Sequence, residues 1–159
     1  MIGIMFVCHG NICRSPMAEF IFKDMLKKRG LENEFFVASS ATSTEEIWSG
    51  RGNPVYPPAV EELARHGIKC GGKRAVQLNR SDLEKYHMFI GMDSANIRNM
   101  HRMLGEGARG KIYKLLEFAG RDADVSDPWY SERFDIAYKD IYEGCEALLA
   151  CLVKEEMIK

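Results

Sequence analysis

Short apolar runs alternate with amphipathic segments along the whole chain. Four of these runs are five or six residues long, and their β-branched, aromatic and methionine side chains are typical of buried strands. We predict strands over residues 2–7, 35–39, 87–92 and 111–115. None of the four shows a clean apolar–polar alternation, which favours strands that are covered on both faces.

Between the runs, apolar residues recur at helical spacing. The first helix is predicted to end at Gly30, and its apolar face is formed by Met17, Ala18, Ile21, Phe22, Met25 and Leu26. Further helices are expected over residues 58–66, 81–85 and 93–103. A last helix is expected from about residue 132, with Cys145 on its apolar stripe.

Strands that alternate with helices indicate an α/β fold. We expect three layers, with a four-stranded parallel sheet that carries helices on both faces. The 159 residues contain no linker, repeat or low-complexity block, so a single domain over residues 1–159 is expected. Two long loops, over residues 41–57 and 117–131, stand out because loops of this length are usually functional or disordered.

Composition and charge narrow the classes of function. The chain is 46% hydrophobic and 28% charged, with a net charge of −1, so neither a nucleic-acid groove nor a membrane-binding surface is indicated. Its apolar start is too short for a signal peptide or a membrane span. Five cysteines, an odd number, do not suggest a disulfide framework, and a reducing cytoplasm is the expected compartment.

The loop after the first predicted strand, "CHGNICRS" at residues 8–15, has the composition of an anion site. Open α/β sheets bind ligands at this position. Ser15 followed by Pro16 predicts a helix start, so loop N–H groups and the positive helix end should converge. Arg14 adds a planar donor fork that suits phosphate oxygens. Cys8 would lie in the same positive field, which favours a thiolate able to attack a phosphate ester.

These residues alone leave other interpretations open. A cysteine and an arginine six positions apart also occur by chance, and Cys8 with Cys13 would equally fit two buried thiols or half of a metal site. Zinc-binding cysteine pairs usually lie two to four residues apart and need a second pair, which the sequence does not show. The preceding strand, the following helix start and Gly10 favour the phosphate loop.

The sequence "CHGNICRSPMAE" resembles the active-site loop of low-molecular-weight protein tyrosine phosphatases, whose pattern begins V-C-x-G-N-I-C-R-S-P. The resemblance continues in "SSATS" at 39–43, "HGI" at 66–68, "MDSAN" at 92–96 and "DPWY" at 127–130. It implies hydrolysis of phosphotyrosine through a phosphocysteine intermediate, with neither a metal nor an organic cofactor. The implied partners are phosphotyrosine-containing proteins, with a tyrosine kinase as one candidate. Neither nucleic acid nor a membrane is expected as a partner.

The resemblance also assigns roles to residues. Cys8 is the implied nucleophile, Arg14 the phosphate-binding side chain, and Asp127 the general acid that later acts as a base. The implied substrate-binding residues are His9, Gly10, Asn11, Ile12, Cys13, Ser15, Trp129 and Tyr130. Ser39 and His66 are expected to support the loop. The family serine could match either Ser39 or Ser40. Asp93 matches a family aspartate near the pocket but would equally serve as a helix N-cap.

The loop at 41–57 departs from the family pattern. Trp48 is its largest apolar residue and a candidate substrate-binding wall, whereas family enzymes often carry an aromatic residue where Glu45 and Glu46 stand. If these carboxylates face the pocket mouth, basic residues beside the phosphotyrosine should be preferred. Cys13 matches a family cysteine that forms a reversible disulfide with the nucleophile, which would protect Cys8 from irreversible oxidation.

Three other functions compete with phosphotyrosine hydrolysis. Protein arginine phosphatases share the loop but carry threonine at the position of Ile12, where an apolar side chain better suits a phenyl ring. Arsenate reductases of this fold need two further neighbouring cysteines, and only Cys70 lies in that region. A non-catalytic phosphoprotein-binding module would be favoured if Cys8 or Asp127 were replaced, and both are present.

Overall fold

The computed structural model describes residues 1–154. Within this range the strands are β1 (Ile2–Cys8), β2 (Phe35–Ala41), β3 (Ile47–Trp48), β4 (Arg51–Gly52), β5 (Met88–Gly91) and β6 (Ile112–Lys114). The main sheet has the order β2-β1-β5-β6, and all of its pairs are parallel. The predicted α/β fold with a four-stranded parallel sheet is confirmed, and each predicted strand lies within two residues of an observed one.

The helices of the described range are α1 (Arg14–Lys28), α2 (Pro57–Arg65), α3 (Ser94–Leu104), α4 (Pro128–Ser131) and α5 (Phe134–Lys154). Three 3-10 turns accompany them, at Arg80–Glu84, Gly105–Ala108 and Leu115–Ala119. Over residues 1–154 none of these helices is long and apolar enough to cross a membrane.

Two helix predictions were wrong in detail. The helix expected at residues 81–85 is a 3-10 turn, because Asn79 and Asp82 form a capping box and the chain must become extended again for β5. The last helix begins at Phe134 rather than near Glu132. Glu132 has a φ of 60°, a left-handed conformation that ends the short helix α4 and prevents a continuous helix from residue 132.

The sheet separates two apolar cores, and β1 contributes to both. Ile4 and Phe6 face the larger core, which α1, α2 and α5 cover, whereas Met5 and Val7 face the smaller core beneath α3. Cys8 follows the same alternation and points to the larger core. The nucleophile expected from the sequence therefore leaves β1 on the side of α1, at the carboxyl end of a central strand.

Part of the predicted long loop 41–57 is ordered as a hairpin. β3 and β4 pair antiparallel, and the two residues between them, Ser49 and Gly50, have φ angles of 49° and 77°. Positive φ at both central positions is the geometry of a tight two-residue hairpin turn. This hairpin holds the preceding residues, Glu45 and Glu46, against the loop that follows β1.

Candidate active site

The loop between β1 and α1 curls its backbone around the Cys8 sulfur. Asn11 adopts a left-handed conformation, with a φ of 59°, which asparagine tolerates better than most residues. This turn directs the Asn11 N–H toward Cys8 Sγ at 3.3 Å. The sulfur thus accepts a backbone hydrogen bond from its own loop.

The Asn11 side chain fixes the loop from within. Its amide nitrogen donates to Ser15 Oγ at 2.8 Å and to Ser39 Oγ at 2.9 Å, and its carbonyl oxygen accepts the Val76 N–H at 3.0 Å. Ser15 Oγ lies 3.0 Å from Cys8 Sγ and 3.5 Å from the Ser40 carbonyl, and when Cys8 is a thiolate the Ser15 hydroxyl is the donor to the nearer sulfur. Two donors therefore converge on the sulfur, and a thiolate accepts such bonds better than a thiol does.

Arg14 is buried at the start of α1 and held by neighbours on two other segments. Its Nη1 donates to Asp93 Oδ2 at 2.7 Å and to the Val125 carbonyl at 2.9 Å. Burial lowers the pKa of Arg14, but the negative charges of Cys8 and Asp93 outweigh this effect and raise the pKa overall. Arg14 is thus a fixed cation whose remaining N–H groups are available to an anion in the pocket.

Asp93 has both of the roles considered for it. One carboxylate oxygen binds Arg14, and the other accepts the Asn96 N–H at 2.8 Å as the N-cap of α3. Asn96 completes a capping box by accepting the Asp93 N–H. The cap orients the carboxylate, and the carboxylate in turn orients the arginine.

Asp127 faces Arg14 from the other side of the pocket. Its Oδ2 lies 3.6 Å from Arg14 Nη2, an ion-pair distance too long for a hydrogen bond. Its Oδ1 accepts the Trp129 N–H at 3.0 Å and so caps α4. The side chain remains partly exposed, so that it can reach both a bound substrate and water.

These groups share one open pocket of about 130 Å³. Trp129 and Tyr130 form an exposed aromatic side, and Trp129 packs against Tyr56 with ring centroids 4.8 Å apart. Ile12 adds an apolar surface. The lining residues are Cys8, His9, Gly10, Ile12, Cys13, Arg14, Glu45, Glu46, Asp127, Trp129 and Tyr130.

Comparison with known proteins agrees with this geometry. The family model described as low molecular weight phosphotyrosine protein phosphatase matches residues 3–158. The chain belongs to this family. The low molecular weight protein-tyrosine-phosphatase YfkJ of Bacillus subtilis is 39% identical over 99% of this chain and 100% of its own length. The crystal structure of YfkJ has a TM-score of 0.91 to this chain and covers 98% of it and 97% of the YfkJ chain.

Two further structures represent different activities within the same architecture. The low molecular weight protein tyrosine phosphatase of Streptococcus pyogenes is 34% identical, with a TM-score of 0.84 over 96% of this chain and 93% of its own. A Drosophila arginine phosphatase is 29% identical, with a TM-score of 0.83 over 92% of this chain and 95% of its own. Because both share this fold, the substrate must be argued from the pocket.

The structure shows which hydrogen bonds are made by Ser39 and Ser15, the two serines considered in the sequence. Ser39, rather than Ser40, accepts the Asn11 amide. Ser15 was expected to cap the first helix, but α1 begins two residues earlier than that cap implies, at Arg14, and Cys13 occupies the N-cap position without a side-chain hydrogen bond. The Ser15 hydroxyl faces the Cys8 sulfur instead of the helix end.

Trp48 is not where the sequence interpretation placed it. Its side chain is 71% exposed on β3 and is not among the residues that line the pocket. Glu45 and Glu46, which precede β3, line the pocket instead. Glu45 lies 3.0 Å from His9 Nε2, and Glu46 accepts a hydrogen bond from Asn53 at 3.0 Å.

His66 does not support the phosphate loop by contact. Its Nε2 lies 3.1 Å from Glu62 Oε2, and its ring stacks on Tyr138 at a centroid distance of 3.7 Å. Both partners belong to the helical layer formed by α2 and α5. His66 follows the last residue of α2, which places it in this layer rather than beneath the loop.

The polar side chains that lie beneath the loop were missed. Glu19 accepts a hydrogen bond from Ser39 Oγ at 2.6 Å, and Lys73 donates to the Ser39 carbonyl at 2.9 Å. A signal for Glu19 was available, because it lies four residues after Ser15 and beside the apolar face of the first helix. Lys73 had no comparable local signal, since it lies in an irregular segment.

Cys13 shares the pocket with Cys8 but differs from it chemically. Burial and then the neighbouring charges of Cys8 and Asp127 raise the pKa of Cys13, so this residue stays a thiol. The disulfide expected between the two cysteines stays a prediction. Within residues 1–154 no group of three or more His, Cys, Asp or Glu side chains is arranged to hold a metal ion.

Proposed function

We propose that this phosphatase-family hydrolase removes phosphate from phosphotyrosine side chains in two steps. In the first step Cys8 Sγ attacks phosphorus, an S–P bond forms and the bond from phosphorus to the phenolic oxygen breaks. Asp127 gives its proton to the leaving oxygen. Arg14 and the loop N–H groups hold the non-bridging oxygens and stabilise their charge in the transition state.

The second step returns the enzyme to its starting state. Asp127, now a carboxylate, takes a proton from water while the water oxygen attacks the phosphorus of phosphocysteine. The S–P bond breaks, inorganic phosphate is released and the Cys8 thiolate is restored. Neither a metal ion nor an organic cofactor takes part in this sequence of bond changes.

The observation that carries the proposal is the convergence of donors on Cys8 Sγ. The sulfur receives the Asn11 N–H and the Ser15 hydroxyl while it faces a pocket that Arg14 and Asp127 also line. A sulfur in this setting can accept hydrogen bonds as the attacking thiolate while it faces a ligand in the pocket. Ile12 with the aromatic pair at Trp129 and Tyr130 suits the flat phenyl ring of phosphotyrosine.

Phosphoarginine hydrolysis is the second candidate. The carboxylates of Glu45 and Glu46 line the same pocket, and a guanidinium group would pair with them. The structural likeness to the Drosophila arginine phosphatase fits this alternative. Ile12 favours phosphotyrosine instead, because its apolar side chain in the pocket lining offers no acceptor to the N–H groups of a guanidinium.

Arsenate reduction and simple phosphoprotein binding have weaker support. Electron relay through cysteines needs accessible thiols, whereas Cys70 is buried and its pKa is raised by that burial. A binding module would not need the pairing of Cys8 with Asp127 across one pocket. We therefore propose phosphotyrosine-bearing proteins as substrates, a tyrosine kinase among them. We further propose the cytoplasm as the compartment, where thiols stay reduced.

The test is phosphate release from two peptides of identical sequence, one with phosphotyrosine and one with phosphoarginine. We expect a higher kcat/KM for the phosphotyrosine peptide and no release by Cys8→Ser, which should still bind phosphate. Faster release from the phosphoarginine peptide would keep the nucleophile and overturn the substrate. Normal turnover by Cys8→Ser would overturn the mechanism.

A further inference from the structure

Tyr56 connects the phosphate loop to the segment that carries Asp127. Its backbone N–H donates to the Ile12 carbonyl at 2.9 Å, and its ring packs on Trp129 with centroids 4.8 Å apart. Trp129 lies two residues after Asp127, and its N–H donates to Asp127 Oδ1 at 3.0 Å. Tyr56 is not among the residues that line the pocket, yet it touches both the loop of the nucleophile and the segment of the proposed general acid.

The backbone of Tyr56 is fixed on both sides of the ring. Pro57 follows it, and a residue before proline is restricted to extended conformations, in agreement with the Tyr56 φ of −60° and ψ of 132°. The Tyr56 carbonyl accepts the N–H groups of Ala59 and Val60 at 2.9 and 3.1 Å, in the first turn of α2. The ring therefore projects from a backbone that has hydrogen bonds at both its N–H and its carbonyl.

The segment that carries Asp127 depends on such support from outside. Helix α4 has only four residues, too few for a helix that is stable by itself, and it ends at the left-handed Glu132. Trp129 is 50% exposed, so one face of its ring remains free toward the pocket while the ring packs on Tyr56. The Tyr56 ring also contacts Phe134, the first residue of α5, at a centroid distance of 6.1 Å. One ring thus contacts the chain on both sides of Glu132.

We propose that Tyr56 is a positioning residue for Asp127. Its ring holds Trp129, the Trp129 N–H holds the carboxyl group, and the carboxyl group faces the leaving oxygen of the substrate. This inference rests on the proposed function, since it takes Asp127 as the general acid. A displacement of about 1 Å can cost about 10²-fold in rate, so a ring contact affects the reaction without touching the substrate.

The experiment compares kcat/KM for phenyl phosphate, whose leaving group needs a proton, with kcat/KM for p-nitrophenyl phosphate, whose leaving group does not. Tyr56→Ala removes the ring but keeps the N–H that binds Ile12. We expect kcat/KM to fall about tenfold or more for phenyl phosphate and less than about threefold for p-nitrophenyl phosphate. Inhibition by inorganic phosphate should stay unchanged. Tyr56→Phe keeps the ring and should restore the parent kinetics.

A double variant tests whether the effect passes through Asp127. In an Asp127→Asn background, Tyr56→Ala should no longer lower the phenyl phosphate rate selectively, because the acid that it positions is absent. The matched control is Tyr113→Ala, which removes another half-buried tyrosine with an aromatic partner, Phe118 at 5.4 Å, on the edge strand β6. It should leave the ratio of the two ester rates unchanged.

A merely structural role for Tyr56 would lower both ester rates alike. An equal loss or no loss in Tyr56→Ala overturns the proposal, and so does a selective loss that persists in the Asp127→Asn background. If Tyr56→Ala does not fold, Tyr56→Leu, which keeps apolar volume without a flat ring, is held to the same outcomes. Failure of the proposed function is seen in Asp127→Asn alone, as an equal loss for both esters. A selective loss in Asp127→Asn without one in Tyr56→Ala overturns only the role of Tyr56.

Discussion

Two thiols in one short loop differ because their neighbours differ. Cys8 Sγ faces the Asn11 N–H and the Ser15 hydroxyl, and it lies near Arg14. Cys13, at the first position before α1, is buried, and this burial, followed by the negative charges of Cys8 and Asp127, raises its pKa. The hydrogen-bond donors that reach the sulfur therefore distinguish the reactive cysteine from its neighbour. The position of Cys8 at the end of β1 matters because it places the sulfur within reach of those donors.

At the same scale, Asp127 can be tested without disturbing the fold. Asparagine is also a good N-cap, so Asp127→Asn should keep the hydrogen bond from the Trp129 N–H that begins α4. It cannot protonate the leaving group, and we expect kcat to fall by on the order of 10²–10⁴. The loss should be larger for phenyl phosphate than for p-nitrophenyl phosphate, whose phenolate leaves more easily without a proton.

The matched control for Asp127→Asn is Asp122→Asn, a fully exposed aspartate of the same long loop. Its steady-state kinetics with both esters should equal those of the parent. An equal loss for the two esters in Asp127→Asn would contradict the general-acid role and point to a role in substrate binding.

At the scale of elements, the hairpin formed by β3 and β4 determines the charge of the pocket mouth. Because the hairpin directs Trp48 outward, Glu45 and Glu46 are the side chains that meet a substrate there. Peptides with lysine or arginine beside the phosphotyrosine should therefore have a higher kcat/KM at low salt than matched peptides with acidic neighbours. Glu45→Lys should abolish this preference, since the new positive charge offsets that of Glu46, whose hydrogen bond from Asn53 stays in place.

A substitution of the same kind at the amino ends of the strands distinguishes the effect of charge at the pocket mouth from the effect of the protein's net charge. Glu32→Lys, in the segment before β2, changes the net charge by the same amount as Glu45→Lys but far from the carboxyl ends of the strands. It should leave the ratio of the two peptide rates unchanged. If Glu45→Lys and Glu32→Lys behave alike, the mouth has no specific role.

Elements and pocket differ in how far the sequence could predict them. Strand positions followed from apolar runs, and the phosphate loop followed from local spacing, since both depend on residues that are close in sequence. Helix ends were less accurate, because the left-handed conformation of Glu132 is invisible in a periodicity. Lys73 could not be placed at all, because it meets Glu19 only after the parallel sheet has brought β2 beside β1 and the segment after α2 beneath the loop.

At the scale of the whole molecule, the two cores hold the site rigid from both faces of the sheet. Cys8 continues the larger core beyond Ile4 and Phe6, and Asp93 leaves the carboxyl end of β5 to bind Arg14. The pocket therefore depends on the packing of α1 and α5 on the sheet. One close contact in that packing is between Gly144 of α5 and Leu115, which follows β6.

Substitution of Gly144 tests whether packing or helix propensity dominates there. Alanine in a helix interior is favoured over glycine by about 1 kcal/mol. A Cβ at Gly144 would lie 2.5 Å from Leu115 Cγ, and Leu115 is 0% exposed, so it has little room to move. Overpacking costs about 1–3 kcal/mol, which exceeds the propensity gain over most of this range, and we expect Gly144→Ala to lower the free energy of unfolding by up to about 2 kcal/mol. Urea denaturation should show a lower midpoint with an unchanged slope.

The decisive comparison repeats Gly144→Ala in a protein from which the Leu115 side chain has been removed. In a Leu115→Ala background the methyl group added by Gly144→Ala meets empty space, so the substitution should be neutral or stabilising there through helix propensity alone. A change of sign between the two backgrounds would identify the contact with Leu115 as the reason for glycine at this position. If Gly144→Ala stabilises the parent protein as well, the helix tolerates the methyl group by a small shift, and close packing of α5 at this point does not constrain the fold.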